Sequence, residues 1–460
     1  MYFLHKIRSI FILAILIISF PSCEKWIDPE LGDDPNKALK VPVYLILPSI
    51  QTQMAYTLGG ADYTTICSAW VHYCFYSARS VGVIGYGNIT ESDVNSLWKT
   101  LYDGCMMDAY LMINSEPYSS YNSVGKILMA YLIGTTTDTF GDVPYREAFQ
   151  GNANLTPKYD PQETLYQDIH QLLTEAITEL ESINVSIKDD LIYNGDLSKW
   201  IKLAYSLKAR YTIHLSNRNP FYANEVLTYI EKGFSSNDDD FTFWFNEDPD
   251  ENSPIFQFSD QRGDIADGVS YESRLENDND PRLYIFDAFS GNSSDDFAGL
   301  YYGRANGPVE LMTYTELMYI AAEAAFATGD LSATKEYLKT AVESSIYKYK
   351  DLDGWFAPNS SGYTICEQYN NEAPAWLANK HLEIDAANID LEYIINQKYI
   401  SRYLSPESYT DYRRTGYPYL NIYPNASIPK RFPYPSSERL YNPNTPSITK
   451  NDLVWWDNND

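Results

Sequence analysis

Trp70, Tyr73 and Tyr76 fall at intervals of three residues, with Tyr86 beyond them. A second group, Tyr271, Tyr301, Tyr302 and Arg304, is accompanied by Gly299, Gly303, Gly307 and Asn306. Clusters of this type suit sugar recognition. A ring stacks its face on the apolar C–H side of a pyranose, a tyrosine hydroxyl bonds the rim, and a stiff side chain loses little entropy on binding. Tyrosine dominates here, with 41 residues in an aromatic fraction of 15%. Glycines let a loop hold bulky rings at angles closed to a helix, and Asn306 supplies an amide for sugar hydroxyls. Both groups keep a second reading. Trp70, Tyr73 and Tyr76 stand at helical spacing, which suits a packed face equally well, and the glycine-flanked residues could pack inward too.

Signatures of catalysis are missing. The sequence holds no HExxH, GxSxG, Walker A, GxGxxG or EF-hand pattern. His72, His170, His214 and His381 are too dispersed to suggest a site. A glycosidase needs two carboxylates at a set separation, and 62 acidic residues nominate no pair by spacing. The run Asp238, Asp239, Asp240, Glu247, Asp248, Asp250 and Glu251 offers oxygens of the kind calcium takes, but reads first as a solvated acidic loop. Cys67, Cys74, Cys105 and Cys366 are too scattered for a zinc site or a disulfide framework. If residues 67–74 form one helix, Cys67 and Cys74 lie about 10 Å apart along its axis, too far to bridge. They read as small buried apolar side chains. No metal and no cofactor is expected, and binding without chemistry is.

The formal net charge is -28. Such a surface repels phosphate backbones, so nucleic acid is excluded as a partner, and it favours solubility. At the N-terminus, Lys6 and Arg8 precede an apolar run over residues 10–18, followed by Ser19, Phe20, Pro21, Ser22 and Cys23. A positive start, a short apolar core and a small residue before the break form a secretory signal. The run is shorter than the roughly 20 apolar residues a membrane-spanning helix needs. A cysteine directly after it resembles the bacterial lipobox, so residues 1–22 are expected to be removed and Cys23 to carry acyl (palmitate-type) chains. Removing residues 1–22 takes away Lys6 and Arg8 and no carboxylate, so the mature chain is two units more negative.

The elements that must position these groups are helical. Asp160-Pro161 opens a stripe of Leu165, Ile169, Leu172, Leu173, Ala176, Ile177 and Leu180, and Trp200, Ala204, Leu207, Tyr211 and Leu215 form another. Comparable stripes fall near 94–113, 123–136, 314–328, 332–348 and 388–403. Residues 321–330, AAEAAFATGD, resemble the end of the first helix of a tetratricopeptide repeat, although no strict 34-residue period exists. The expected fold is all-α, stacked helix pairs resembling tetratricopeptide repeats, with at most a small hairpin from Phe241–Phe245 and Ile255–Phe258. Residues 23–40 read as a lipidated tether and 41–460 as one domain, with irregular loop insertions at about 235–310 and 350–385.

Segments across nearly the whole mature chain resemble the SusD/RagB superfamily, specifically its second SusD-like branch. They are DDPNKALKVPVYLILPSIQTQMA (33–55), FGDVPYREAFQG (140–151), KYDPQETLYQDI (158–169), GDLSKWIKLAYSLKARYTIHLSN (195–217), NDNDPRL (277–283), YTELMYIAAEAAF (314–326), QKYISRYLSPESYTDYRRTGYP (397–418) and IPKRFPYPSSERLYN (428–442). Tyr399 and Tyr409 stand where this branch often has tryptophan, a difference of packing. Gly141, Asp142 and Pro144 read as a tight turn, a cap and a fixed exit. Arg413 and Arg414 read first as members of a buried ion-pair network.

The resemblance implies a SusD-like lipoprotein on the outer membrane, docked over a SusC-like TonB-dependent transporter and capturing oligomeric nutrient. A glycan is the expected nutrient, with peptide or amino-sugar fragments as the alternative. A glycan-cleaving enzyme, or a structural partner of the barrel with vestigial binding, would be further readings.

Overall fold

The computed structural model describes residues 41–60, 62–76, 88–115, 120–182, 185–287, 297–420 and 427–457. Cys23, the 23–40 tether and Tyr86 lie outside the described residues.

Helical periodicity builds the body. Helix α1, Val43–Leu58, turns Leu47, Ile50, Met54 and Leu58 inward. Helix α2, Ser120–Phe140, is buried on nearly every side, as its apolar and small residues allow. Helix α3, Gln162–Ser182, buries Leu165, Ile169, Leu173, Ala176, Ile177 and Leu180, and α4, Leu197–His214, buries Trp200, Ala204, Leu207 and Tyr211. After α5, Tyr222–Ile230, come α6, Tyr314–Ala327, and α7, Leu331–Lys348. Each packs on the next from α2 to α7, so the stacked helix pairs are present. Close approach has a local cause at Gly134, where a Cβ would sit 2.2 Å from the Tyr211 ring of α4.

The 140–145 motif is structural punctuation. Gly141 adopts φ +82°, and Asp142 Oδ1 accepts the Gln162 N–H at 2.8 Å, capping α3 from 20 residues away. Asp160, just before Pro161 at the start of α3, accepts the N–H groups of Tyr145 and Arg146 at 2.9 Å each.

Four expectations are corrected. Residues 350–385 are not a loop insertion: they hold a 3₁₀ turn, Leu352–Trp355, and most of a long helix, α8, Ser361–Ala386. Its inward face, Ile365, Tyr369, Ala373, Leu377 and Ile384, packs on α7 despite Pro374. The predicted hairpin does not form. Strand β2, Phe241–Trp244, pairs antiparallel with β4, Pro308–Met312, while residues 255–258 belong to the helix Pro254–Arg262. A second small sheet pairs β1, Cys74–Tyr76, with β3, Ile265–Asp267. Cys67 and Cys74 do not share a helix, because Thr64–Trp70 ends before a turn in which His72 takes φ +65°. Asp239 and Asp240 leave the acidic loop: Asp239 pairs with Lys202 at 2.9 Å and Asp240 with Lys348 at 3.0 Å.

Arg413 and Arg414 divide the expected role between them. Arg414 grips Glu323 of α6 with two nitrogens at 2.5 and 2.8 Å and also reaches Asp411 at 2.9 Å. Asp411 in turn pairs with Lys398 at 2.7 Å. These partners hold the Asp411 carboxyl down at about 2 despite its burial. Arg413 forms no ion pair among the described residues. It donates to the carbonyls of Asp138 and Lys430, with its guanidinium 4.1 Å from the Tyr409 ring centre and 4.8 Å from that of Trp456.

Candidate functional site: an aromatic recess

Most of the predicted aromatic residues face inward. Tyr73 is fully buried, stacked 4.4 Å from Tyr399, and its hydroxyl donates to the Tyr399 carbonyl at 2.6 Å. Tyr271 lies edge-on to Tyr73 and donates to the Ile400 carbonyl at 2.8 Å. Trp70 packs between Tyr409 and Phe432, and Tyr76 bonds Thr65 and meets Phe258. These four are corrected from ligand candidates to core residues. No ring face is open and each tyrosine hydroxyl is engaged, and Trp70 and Tyr73 tie the N-terminal part to the 399–434 region.

Tyr302 is corrected too. It is buried, and its hydroxyl donates to Glu310 at 3.1 Å beside Tyr349. It lines a narrow, partly open cavity of about 50 Å³ with Tyr131, Glu310, Arg402 and Glu407. That space has room for a few waters, not for a sugar ring.

Around the rest of the glycine-flanked loop, the outcome differs. Gly299 adopts φ +62°, and a Cβ there would fall 2.2 Å from the Ile285 carbonyl, so the turn into Gly299–Tyr302 requires glycine. That short helix carries Tyr301 under two exposed tryptophans. Trp244, the outward-facing last residue of β2, is 48% exposed, and Trp355, at the end of the Leu352–Trp355 turn, is 37% exposed. Trp244 stands 85° to both neighbours, with centroids 5.6 Å from Trp355 and 5.9 Å from Tyr301.

Arg304 and Asn306 complete the wall. The Arg304 guanidinium sits 5.2 Å from the Trp355 ring centre and 4.8 Å from that of Phe356. Burial lowers its pKa, an effect that Glu247, 3.7 Å away, opposes. Asn306 donates to the same Glu247 oxygen at 3.2 Å. Together Trp244, Phe245, Glu247, Arg304, Asn306 and Trp355 line an open recess of about 330 Å³.

Chemically this is a corner of two indoles beside an amide, a guanidinium and one carboxylate. It offers stacking faces and hydrogen-bond groups of both senses, which a polyhydroxylated ring requires. Of the predicted residues, Arg304 and Asn306 reach the recess and Tyr301 supports it. Trp244, Phe245, Glu247 and Trp355 were not foreseen as site residues. Tryptophans inside both predicted insertions, at the ends of FTFW and LDGW, were the available signal.

Elsewhere, Asp267, Glu272 and Asp287 bring carboxylate oxygens within 4.8 Å of one another. Tyr403 donates to Asp267 there. Among the described residues, no helix is long and apolar enough to cross a membrane.

Solved structures share the fold. A SusD/RagB family protein from Bacteroides thetaiotaomicron superposes with a TM-score of 0.76 at 22% identity, covering 91% of this chain and 99% of that one. A chitin-binding protein gives 0.74 at 24% identity, covering 91% and 100%. A chitin-binding SusD homologue from Flavobacterium johnsoniae gives 0.68 at 20% identity, covering 91% and 98%. No curated protein matches. A family model described as "Starch-binding associating with outer membrane" matches residues 35–435, most of the chain, and the protein therefore belongs to this SusD-like family.

Proposed function

We propose that the protein captures an oligomeric glycan at the cell surface through the Trp244–Trp355 recess and delivers it to a SusC-like TonB-dependent transporter. The observation that carries this reading is the pair of exposed, perpendicular indoles over buried Tyr301, flanked by Glu247, Arg304 and Asn306. Large aromatic side chains left open to water beside unsaturated polar groups signal recognition more than packing. Chitin binding by two proteins of the same fold supports a carbohydrate ligand.

Lipid on Cys23 anchors the chain in the outer membrane, and residues 23–40 lead from the anchor to one domain over 41–460. The role is binding without chemistry. Glu247 is the one carboxylate among the described residues lining the recess, whereas glycoside hydrolysis uses two.

A glycan array on the chain starting after Cys23, followed by calorimetry on the best ligand with Trp244→Ala, tests the reading. About tenfold weaker binding by a folded variant is expected. Full binding by Trp244→Ala would place the site elsewhere, and release of shortened sugars during incubation would make the protein an enzyme.

A further inference from the structure

The charge around the recess is lopsided. The chain leaves β2 through a tight turn in which the Asn246 N–H reaches the Glu251 carbonyl at 3.1 Å and the Glu251 N–H reaches the Asp248 carbonyl at 2.9 Å. This turn presents Glu247, Asp248, Asp250 and Glu251, all exposed. Asp353 adds a carboxyl from the Leu352–Trp355 turn that carries Trp355. Arg304 is the one cation among the described lining residues. It lies against the Trp355 and Phe356 rings with 19% of its side chain exposed, and Glu247 sits within 3.7 Å.

The Glu247 side chain is 74% exposed, yet Asn306 and Arg304 approach the same oxygen, Oε1, and orient it at the recess wall. Its second oxygen meets no donor among the described residues and is free to accept one from a ligand. An indole face beside an oriented carboxylate attracts a cation twice, through the ring quadrupole and through charge. Neutral sugars are tolerated by the same surface. A uronate or sulfate would have to approach several carboxylates through a field that the protein's overall charge of -28 reinforces.

Taking the recess as the glycan site, we propose that it selects sugars bearing free, protonated amino groups, with the ring on Trp244 and the ammonium at Glu247. Acidic sugars are rejected.

The test is calorimetry at mildly acidic pH with three probes: fully deacetylated chitosan hexaose, its N-acetylated counterpart and a hexagalacturonate. The deacetylated oligomer is expected to bind about tenfold tighter than the acetylated one, and the uronate not measurably. Raising the salt from about 0.05 M to about 0.5 M should shrink that preference about threefold, because rim charges are screened. Glu247→Gln, an exposed isosteric change, should narrow it to about twofold, mainly by weakening the deacetylated oligomer.

Equal binding of the two chito-oligomers, lost in Trp244→Ala, overturns the charge preference and leaves the recess standing. Binding that survives Trp244→Ala overturns the recess and the preference together. Tighter binding of hexagalacturonate, or no binding of the deacetylated oligomer, overturns the preference.

Discussion

Tyr301 lies parallel to Trp355, with 14° between ring planes and 5.7 Å between centroids, the tyrosine 4% exposed and the tryptophan 37%. One ring is therefore a foundation and the other a surface. Trp244→Ala should lower glycan affinity about tenfold by calorimetry, with little change in melting temperature, since a half-exposed ring contributes little packing. Tyr301→Ala should lower affinity and melting temperature together, because it opens a cavity beneath Trp355 and against Tyr302 and Tyr349. Separation of the two readouts in the opposite sense would reverse these roles.

Arg414 holds Glu323 through two short contacts in a buried setting. Glu323→Ala leaves the guanidinium with Asp411 and Ser216 and uncovers a buried charge. We expect a loss of about 3–5 kcal/mol in urea unfolding. A loss under about 1 kcal/mol would show that the pair is dispensable.

The α3 and α4 stripes were readable because their apolar positions repeat at 3.6 with polar residues between. Helix α8 was hidden. Pro374, Gly362 and a polar stretch with only a thin apolar stripe mimic a loop, and tertiary contact with α7 overrides that propensity. For the site, the glycine-flanked loop pointed to the right neighbourhood, and Arg304 and Asn306 reach the recess. Tyr301 and Tyr302 turned inward because their hydropathy lets them pack, while the exposed rings came from β2 and from the turn before α8. Which of two adjacent aromatics faces water depends on strand pairing and turn geometry, and sequence spacing encodes neither. Tyr73 and Tyr271 failed as candidates for a related reason: their partners, Tyr399 and Ile400, are more than 100 residues away.

The lipid anchor has a direct test. Cys23→Ala should leave a folded protein that no longer fractionates with the outer membrane in cells lacking the transporter, because Cys23 follows a segment patterned as a secretory leader and no described helix is long and apolar enough to span a membrane. Continued membrane association under those conditions would remove Cys23 as the anchor.

His214 gives a pH-dependent prediction whose sign can be fixed. Its ring is buried between Asp138, 3.2 Å from Nδ1, and Glu407, 3.1 Å from Nε2. Burial alone would lower its pKa, but the two carboxylates overcome that and raise it to about 9. Asp138 Oδ2 is otherwise buried without a donor, which the Nδ1–H of a charged imidazolium supplies. A group whose folded pKa lies above its unfolded value near 6.5 contributes stability that is fully present below about pH 6.5 and is lost as pH rises through 9. Comparing wild type with His214→Gln in urea unfolding, the gap should be largest near pH 6 and shrink by on the order of 3 kcal/mol by about pH 9.5. A gap that stays constant across this range would mean His214 is neutral in the folded protein and that hydrogen bonding, not charge, holds Asp138 and Glu407 beside it.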